Sequence, residues 1–360
     1  MERRYDIDWV RVIAIGLLII YHIAVAFQPW GVFIGFIQSD KPLVSLWIPM
    51  SMLNIWRIPL LFFVSGMGVW FAMKKRDWLQ LIWERTRRIL IPFVFGVFAI
   101  VPLHLLLWMK YYNQNLTYYP DQSHLWFLAN IFIYVVILSP LFYYLKKHQN
   151  GKAQQWFKKL FKTPAGLILI TSLFVLEAII VHPESFETYA RTLHGYLLGF
   201  LAFFFGFYCS YIGETFWVTI RKWKWILLAL AFSLFLIRML LFNQRSPDIM
   251  MSVESCSWIF AVFGIASSYL NRPGRVLNYL RQGAYPVYIL HMLFLYLGSY
   301  LIIPLDLPVW LKFFMIVIFT AAGCLGLYEM IRRVSFLRPL FGLNLKIPHN
   351  KTEQVPTLNK

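Results

Sequence analysis

The sequence predicts an all-α, polytopic integral membrane protein with about ten transmembrane helices and both termini cytoplasmic. Three observations carry this. Of the 360 residues, 59% are hydrophobic and only 14% are charged, and the mean hydropathy is +0.61. A soluble domain of this length cannot hide so much apolar surface. Ten apolar segments are long enough to cross a bilayer. The loops between them alternate in charge, as the positive-inside rule requires.

The ten segments lie near 9–28, 48–73, 89–110, 124–145, 164–182, 193–213, 223–243, 252–270, 283–303 and 309–331. Met1 to Arg4 followed by the first apolar run resembles a secretory signal. The run is long and no small-residue cleavage site follows, so it reads as a retained first helix. Loop 74–88 carries Lys74, Lys75, Arg76, Arg85, Arg87 and Arg88, and loop 146–163 carries six lysines. Segments 214–224, 271–282 and 332–360 are basic too, whereas each intervening loop holds at most one Lys or Arg: Lys41, Lys110, Arg191 or Arg245. An even number of spans with cytoplasmic ends follows, in a cell inner membrane. The net charge of +18 is therefore mostly a topology signal, and no soluble basic domain exists to bind nucleic acid. Residues 1–335 form one membrane domain and 336–360 a cytoplasmic polar tail. Cys209, Cys256 and Cys324 are scattered through apolar segments, with neither metal spacing nor a disulfide framework. No metal is expected.

Polar residues inside these spans mark function, because ionisable groups are expensive at that depth. Arg11 and His22 lie on the first span. Eleven helical steps bring them within roughly 20° of one another around the axis and separate them by roughly 16 Å along it. A cation at the membrane surface and an imidazole near mid-bilayer thus share one face. Arg85 and Arg88 open the third span one turn apart at the level of Arg11, where guanidiniums can bind polyphosphate or anchor lipid headgroups. The outer half holds Arg57, His104, His124, Glu177, His194, Arg238 and Glu254. Each alone fits an interhelical hydrogen bond or an ion pair. Together they predict a polar cavity open to the outside. His291 follows Pro286 on the ninth span, at the depth of the Arg11–His22 face.

These residues together resemble the membrane-bound acyltransferase 3 family, over roughly residues 5–335. The resemblance rests on Asp8-Trp9-Val10-Arg11 with His22, the stretch from Arg57 to Gly66, Arg85-Thr86-Arg87-Arg88, Ser123-His124-Leu125-Trp126-Phe127-Leu128, and the run from Tyr285 to His291. The His-Leu-Trp-Phe-Leu run is more similar to the periplasmic glucan succinyltransferase branch, where the larger polysaccharide acetyltransferase branch tends to have a Ser-Val-Glu type motif. The resemblance implies an acyltransferase that uses acyl-CoA, acetyl-CoA or succinyl-CoA, bound from the cytoplasm. It transfers the acyl group to a hydroxyl of an exported glycan or similar acceptor. Arg11, Arg85 and Arg88 would hold the donor, and His22 would be catalytic, either as general base or through an acyl-histidine. Glu254 is the candidate carboxylate to orient His22. Arg57, His124, His194, Arg238 and His291 are candidates for the substrate cavity, and a succinyl carboxylate would want a cation such as Arg57 or Arg238. The competing class is a secondary transporter for a polar solute. Such proteins often show repeats and Gly/Pro-broken helix pairs, and neither is evident here.

Overall fold

The computed structural model describes residues 3–243 and 246–344. Among the described residues all regular structure is helical. The helices are α1 (Tyr5–Val25), α2 (Trp47–Met73), α3 (Trp78–Tyr111), α4 (Trp126–Lys147), α5 (Lys152–Phe161), α6 (Ala165–Val181), α7 (Leu193–Ile212), α8 (Glu214–Leu240), α9 (Asp248–Tyr269), α10 (Arg275–Ile302) and α11 (Val309–Arg333). Nine of them are long and apolar enough to cross a bilayer, and the bent pair of α5 and α6, joined at 98°, makes up to ten. The chain is thus an all-α, multi-pass membrane protein.

Several helices begin earlier than hydropathy predicts. Asp77 and Gln80 form a reciprocal capping box that starts α3 at Trp78, because each side chain satisfies a backbone N–H that the first turn leaves open. Gly213, at φ +79°, makes the tight reversal from α7 into α8, a backbone conformation that side chains other than glycine's resist. Segments 214–224 and 271–282, expected as basic loops, are therefore largely the first turns of α8 and α10. Loop 146–163 contains α5, whose Phe157 ring meets Tyr208 at 4.7 Å and whose Gln154 donates to the Tyr211 carbonyl at 3.2 Å. The stretch 336–344, expected to open a polar tail, packs back instead: Phe341 is buried and meets Phe95 of α3 at 5.3 Å. Its Leu, Pro and Phe residues explain this. Arg245 and the tail beyond residue 344 lie outside the described residues.

The core sits around α2, of which 83% of the apolar window is buried, against 17% for α8 and 22% for α11. Lipid tails are as apolar as leucine, so close packing rather than water exclusion holds such helices together. The α2–α7 contact uses two glycines for this. A methyl group at Gly66 would lie 1.9 Å from the Phe203 carbonyl oxygen, and one at Gly206 would lie 2.0 Å from that of Phe63. Helix α1 packs against α2, α9 and α10, which places its polar stripe inside the bundle.

Candidate active site

Along α1, the residues Ile7, Arg11, Ile15, Leu18 and His22 recur at helical spacing and face three cavities in succession. The first has a volume of about 450 Å³ and is lined by Arg3, Arg4, Asp8, Arg11, Gly68, Phe71, Lys74 and Lys75. The second is a neck of about 30 Å³ between Arg11, Ile15, Leu61, Ser65, Phe127 and Tyr288. The third, about 730 Å³, is lined by His22, Tyr21, Asn54, Arg57, His124, Glu187, Tyr189 and the rings of Trp30, Trp47 and Trp126. Arg11 borders both the first cavity and the neck, while Phe127 and Tyr288 border both the neck and the third cavity. A basic basin, an apolar neck and a polar, aromatic chamber therefore follow one another along a single helix face.

His22 stands on the chamber wall, and its partner comes from α10. His22 Nδ1 lies 2.9 Å from His291 Nε2, with the two rings stacked at 5.2 Å. His291 Nδ1 lies 2.6 Å from the Tyr288 carbonyl oxygen. A carbonyl can only accept, so His291 Nδ1 carries the hydrogen and its Nε2 accepts. His22 must then donate from Nδ1, which leaves a lone pair on His22 Nε2. The order of bonds, carbonyl to His291 to His22, fixes the tautomer without a carboxylate.

His124 lies in the turn just before α4 rather than on the helix itself. Its Nε2 donates to the Ile289 carbonyl at 3.3 Å, its own carbonyl accepts from the Tyr288 hydroxyl, and its ring meets His291 at 4.9 Å. It fastens α4 to α10 beside the His22–His291 pair. His104 continues this group, 5.8 Å from His124 ring to ring, but does not line the chamber. Arg57 is 2% exposed, and its guanidinium carbon lies 3.9 Å from the Tyr21 ring, a cation–π contact. The chamber is roofed by the stretch 182–192, where Tyr189 donates to the Ile55 carbonyl at 2.7 Å and Ser185 to Glu187 at 2.8 Å.

Three other expected residues are engaged elsewhere. Arg238 donates to Glu254 from Nε at 2.8 Å and from Nη2 at 3.0 Å, and to the Ser51 carbonyl at 3.1 Å. Arg238 and Glu254 are both fully buried, so Glu254 ties α9 to α8 and does not orient His22. His194 Nδ1 lies 3.0 Å from both Glu177 oxygens and its Nε2 lies 3.1 Å from the Phe186 carbonyl. It pins the roof segment from behind instead of lining the chamber.

Arg85 does not line the basin itself but reaches its wall, donating to the Gly68 carbonyl at 3.2 Å, and a methyl group at Gly68 would lie 3.4 Å from Arg11 Nη2. Arg11 and Arg85 thus converge on one glycine of α2. Arg88 turns away, to Glu84 at 3.3 Å and Asn344 at 3.2 Å. Arg88 lies within a π turn over Thr86–Leu90 that begins just after Arg85, and the wider turn moves Arg88 off the face that α-helical spacing predicts. Lys74 and Lys75 read as topology charges in the sequence, and Arg3 and Arg4 as part of a signal-like N-terminus; their positions flanking the first two spans on one side are the signal that places them at the basin. Among the chamber residues, Tyr21, Asn54, Glu187 and Tyr189 have no motif that announces them.

A family model described as an acyltransferase domain matches residues 4–329. No curated protein and no solved structure matches the chain. The match takes in α1 with Arg11 and His22, the basic basin apart from Arg3, the neck and every helix that lines the chamber. The chain is a membrane acyltransferase and belongs to the acyltransferase 3 family.

Proposed function

We propose that this protein moves an acyl group, acetyl or succinyl, from cytoplasmic acyl-CoA to a hydroxyl of an exported glycan or similar acceptor at the outer side of a cell inner membrane. The observation that carries this reading is the run of basin, neck and chamber along α1. Coenzyme A has a polyanionic nucleotide end and a thin arm about half a bilayer long. The basin suits the phosphates, which charge-assisted hydrogen bonds from Arg11 and Arg85 would hold. The neck suits the arm, and the roughly 16 Å from Arg11 to His22 suits its length. The alternating loop charge supports a cytoplasmic basin and cytoplasmic termini. The chamber offers flat tryptophan faces together with Asn54 and Glu187, a combination suited to a hydroxyl-rich acceptor. A transporter is less well supported, because the sequence shows no internal repeat and a solute carrier gives the basic basin no role.

In the proposed step, His22 Nε2 takes the proton of the acceptor hydroxyl as its oxygen attacks the thioester carbonyl. The C–S bond breaks, an ester forms, and the proton leaves with the CoA sulfur. The His22 imidazolium that forms transiently keeps its Nδ1–H bond to His291, which supports the positive charge. A chamber of about 730 Å³ holds thioester and acceptor together, which favours direct transfer over an acyl-histidine.

The test is donor binding, because it requires no knowledge of the acceptor. Protein purified in detergent is unfolded thermally with CoA, acetyl-CoA and succinyl-CoA, and the same scan is run on Arg11→Ala/Arg85→Ala. Stabilisation of about 2.7 kcal/mol is expected at a hundredfold excess over Kd, and the double variant should lose it. A well-folded protein that no CoA species stabilises would overturn the reading and favour a transporter.

A further inference from the structure

Arg57 is the feature that the proposed step does not use. It is 2% exposed, it lines the chamber that holds His22, and its Nε and Nη1 have no hydrogen-bond partner. No carboxylate among the described residues forms an ion pair with it. Its guanidinium carbon lies 3.9 Å from the Tyr21 ring, and Tyr21 adjoins His22 in sequence. A buried, unpaired guanidinium at this depth is costly in every resting molecule. An anion bound in the chamber would offset that cost.

We propose that Arg57 holds a carboxylate carried by the acyl group, so that the donor is the half-thioester of a dicarboxylic acid. This rests on the acyl-CoA reading above. Two features favour the acyl group over the acceptor as the source. Arg57 sits at the level of His22, where the acyl carbon must arrive. Glu187 lines the same chamber on its roof and repels an anionic acceptor that enters from outside. The guanidinium presents N–H groups in a fixed fork that matches a carboxylate, whereas an acetyl group leaves it without a partner.

The experiment measures equilibrium binding of CoA, acetyl-CoA and succinyl-CoA to the detergent-purified protein and to R57Q and R57K. The unaltered protein should bind succinyl-CoA roughly 10–100-fold more tightly than acetyl-CoA. R57Q should bring the two within about threefold while CoA itself binds as before, and R57K, which keeps the charge but loses the fork, should retain part of the preference. Equal binding of acetyl-CoA and succinyl-CoA by the unaltered protein would overturn the proposal and leave the acyl-CoA reading standing. An equal loss of both thioesters in R57Q would also overturn it, because it assigns Arg57 to the thioester carbonyl or to structure. Failure of all three CoA species to bind would remove the donor reading and this one with it. Should R57Q fail to fold, the preference of the unaltered protein and its change in R57K decide the question.

Discussion

Arg57 and Arg238 are the same residue at similar depth, and both are almost inaccessible, at 2% and 0% exposure. Around Arg238 the protein has closed: Glu254 and the Ser51 carbonyl take up its Nε and Nη2 donors, and three helices are tied together. Around Arg57 the protein has stayed open, with an aromatic ring on one side and a chamber on the other. The histidines divide in the same way. His194 has acceptors at both nitrogens, while His22 keeps one nitrogen unbonded toward the chamber. In this bundle, the buried arginine that has a carboxylate partner ties helices together, and the one without an ion pair lines the chamber.

Substitutions at six positions can break or sharpen that contrast. His22→Ala should reduce transfer by roughly 10³–10⁴-fold while CoA binding persists, and a variant with normal turnover would end the general-base proposal. Glu254→Ala should act on stability, costing about 3–5 kcal/mol because it strands the Arg238 charge. Its loss should appear as a lower unfolding temperature of the ligand-free protein, whereas R57Q, which removes a charge that was never paired, should unfold no earlier than the unaltered protein. If both behave alike, the division between closed and open arginines fails. His291→Ala should lower kcat by roughly 10–100-fold with little change in the KM for the donor, since His22 keeps its place but loses the bond that fixes its tautomer. A change confined to KM would move His291 from positioning to binding. The smallest effect is at the basin. Arg88→Ala should weaken CoA binding by less than about threefold, because Arg88 is turned to Glu84 and Asn344, while Arg85→Ala should weaken it more. The reverse order in a titration would restore the shared face that the π turn interrupts.

The helices were legible because hydropathy and loop charge are properties of contiguous sequence. The stripe from Arg11 to His22 was legible for a related reason, since both residues belong to one helix and a period of 100° decides their relation. His291 could be placed at the right depth, but its bond to His22 joins α10 to α1, and no pattern within either helix states that register. Glu254 shows the same limit from the other side. As a letter in the outer half of a span it was as good a partner for His22 as any, and only packing assigns it to Arg238. The divergence of Arg85 from Arg88 was hidden because hydropathy does not reveal a π turn. The Asp77–Gln80 capping box, by contrast, was present in the letters and would have moved the start of α3 by several residues.

The neck between Phe127 and Tyr288 has an electrical consequence. Polar basins approach it from both sides, so the insulating thickness of the bilayer is reduced locally to the few residues around Ile15 and Leu61. A membrane voltage falls where the medium conducts least, and here that is across the neck. One elementary charge crossing 100 mV exchanges about 2.3 kcal/mol. A charge carried between the basin and the chamber therefore works with or against nearly the full potential within a short distance, and the rate of such a step becomes a function of membrane voltage.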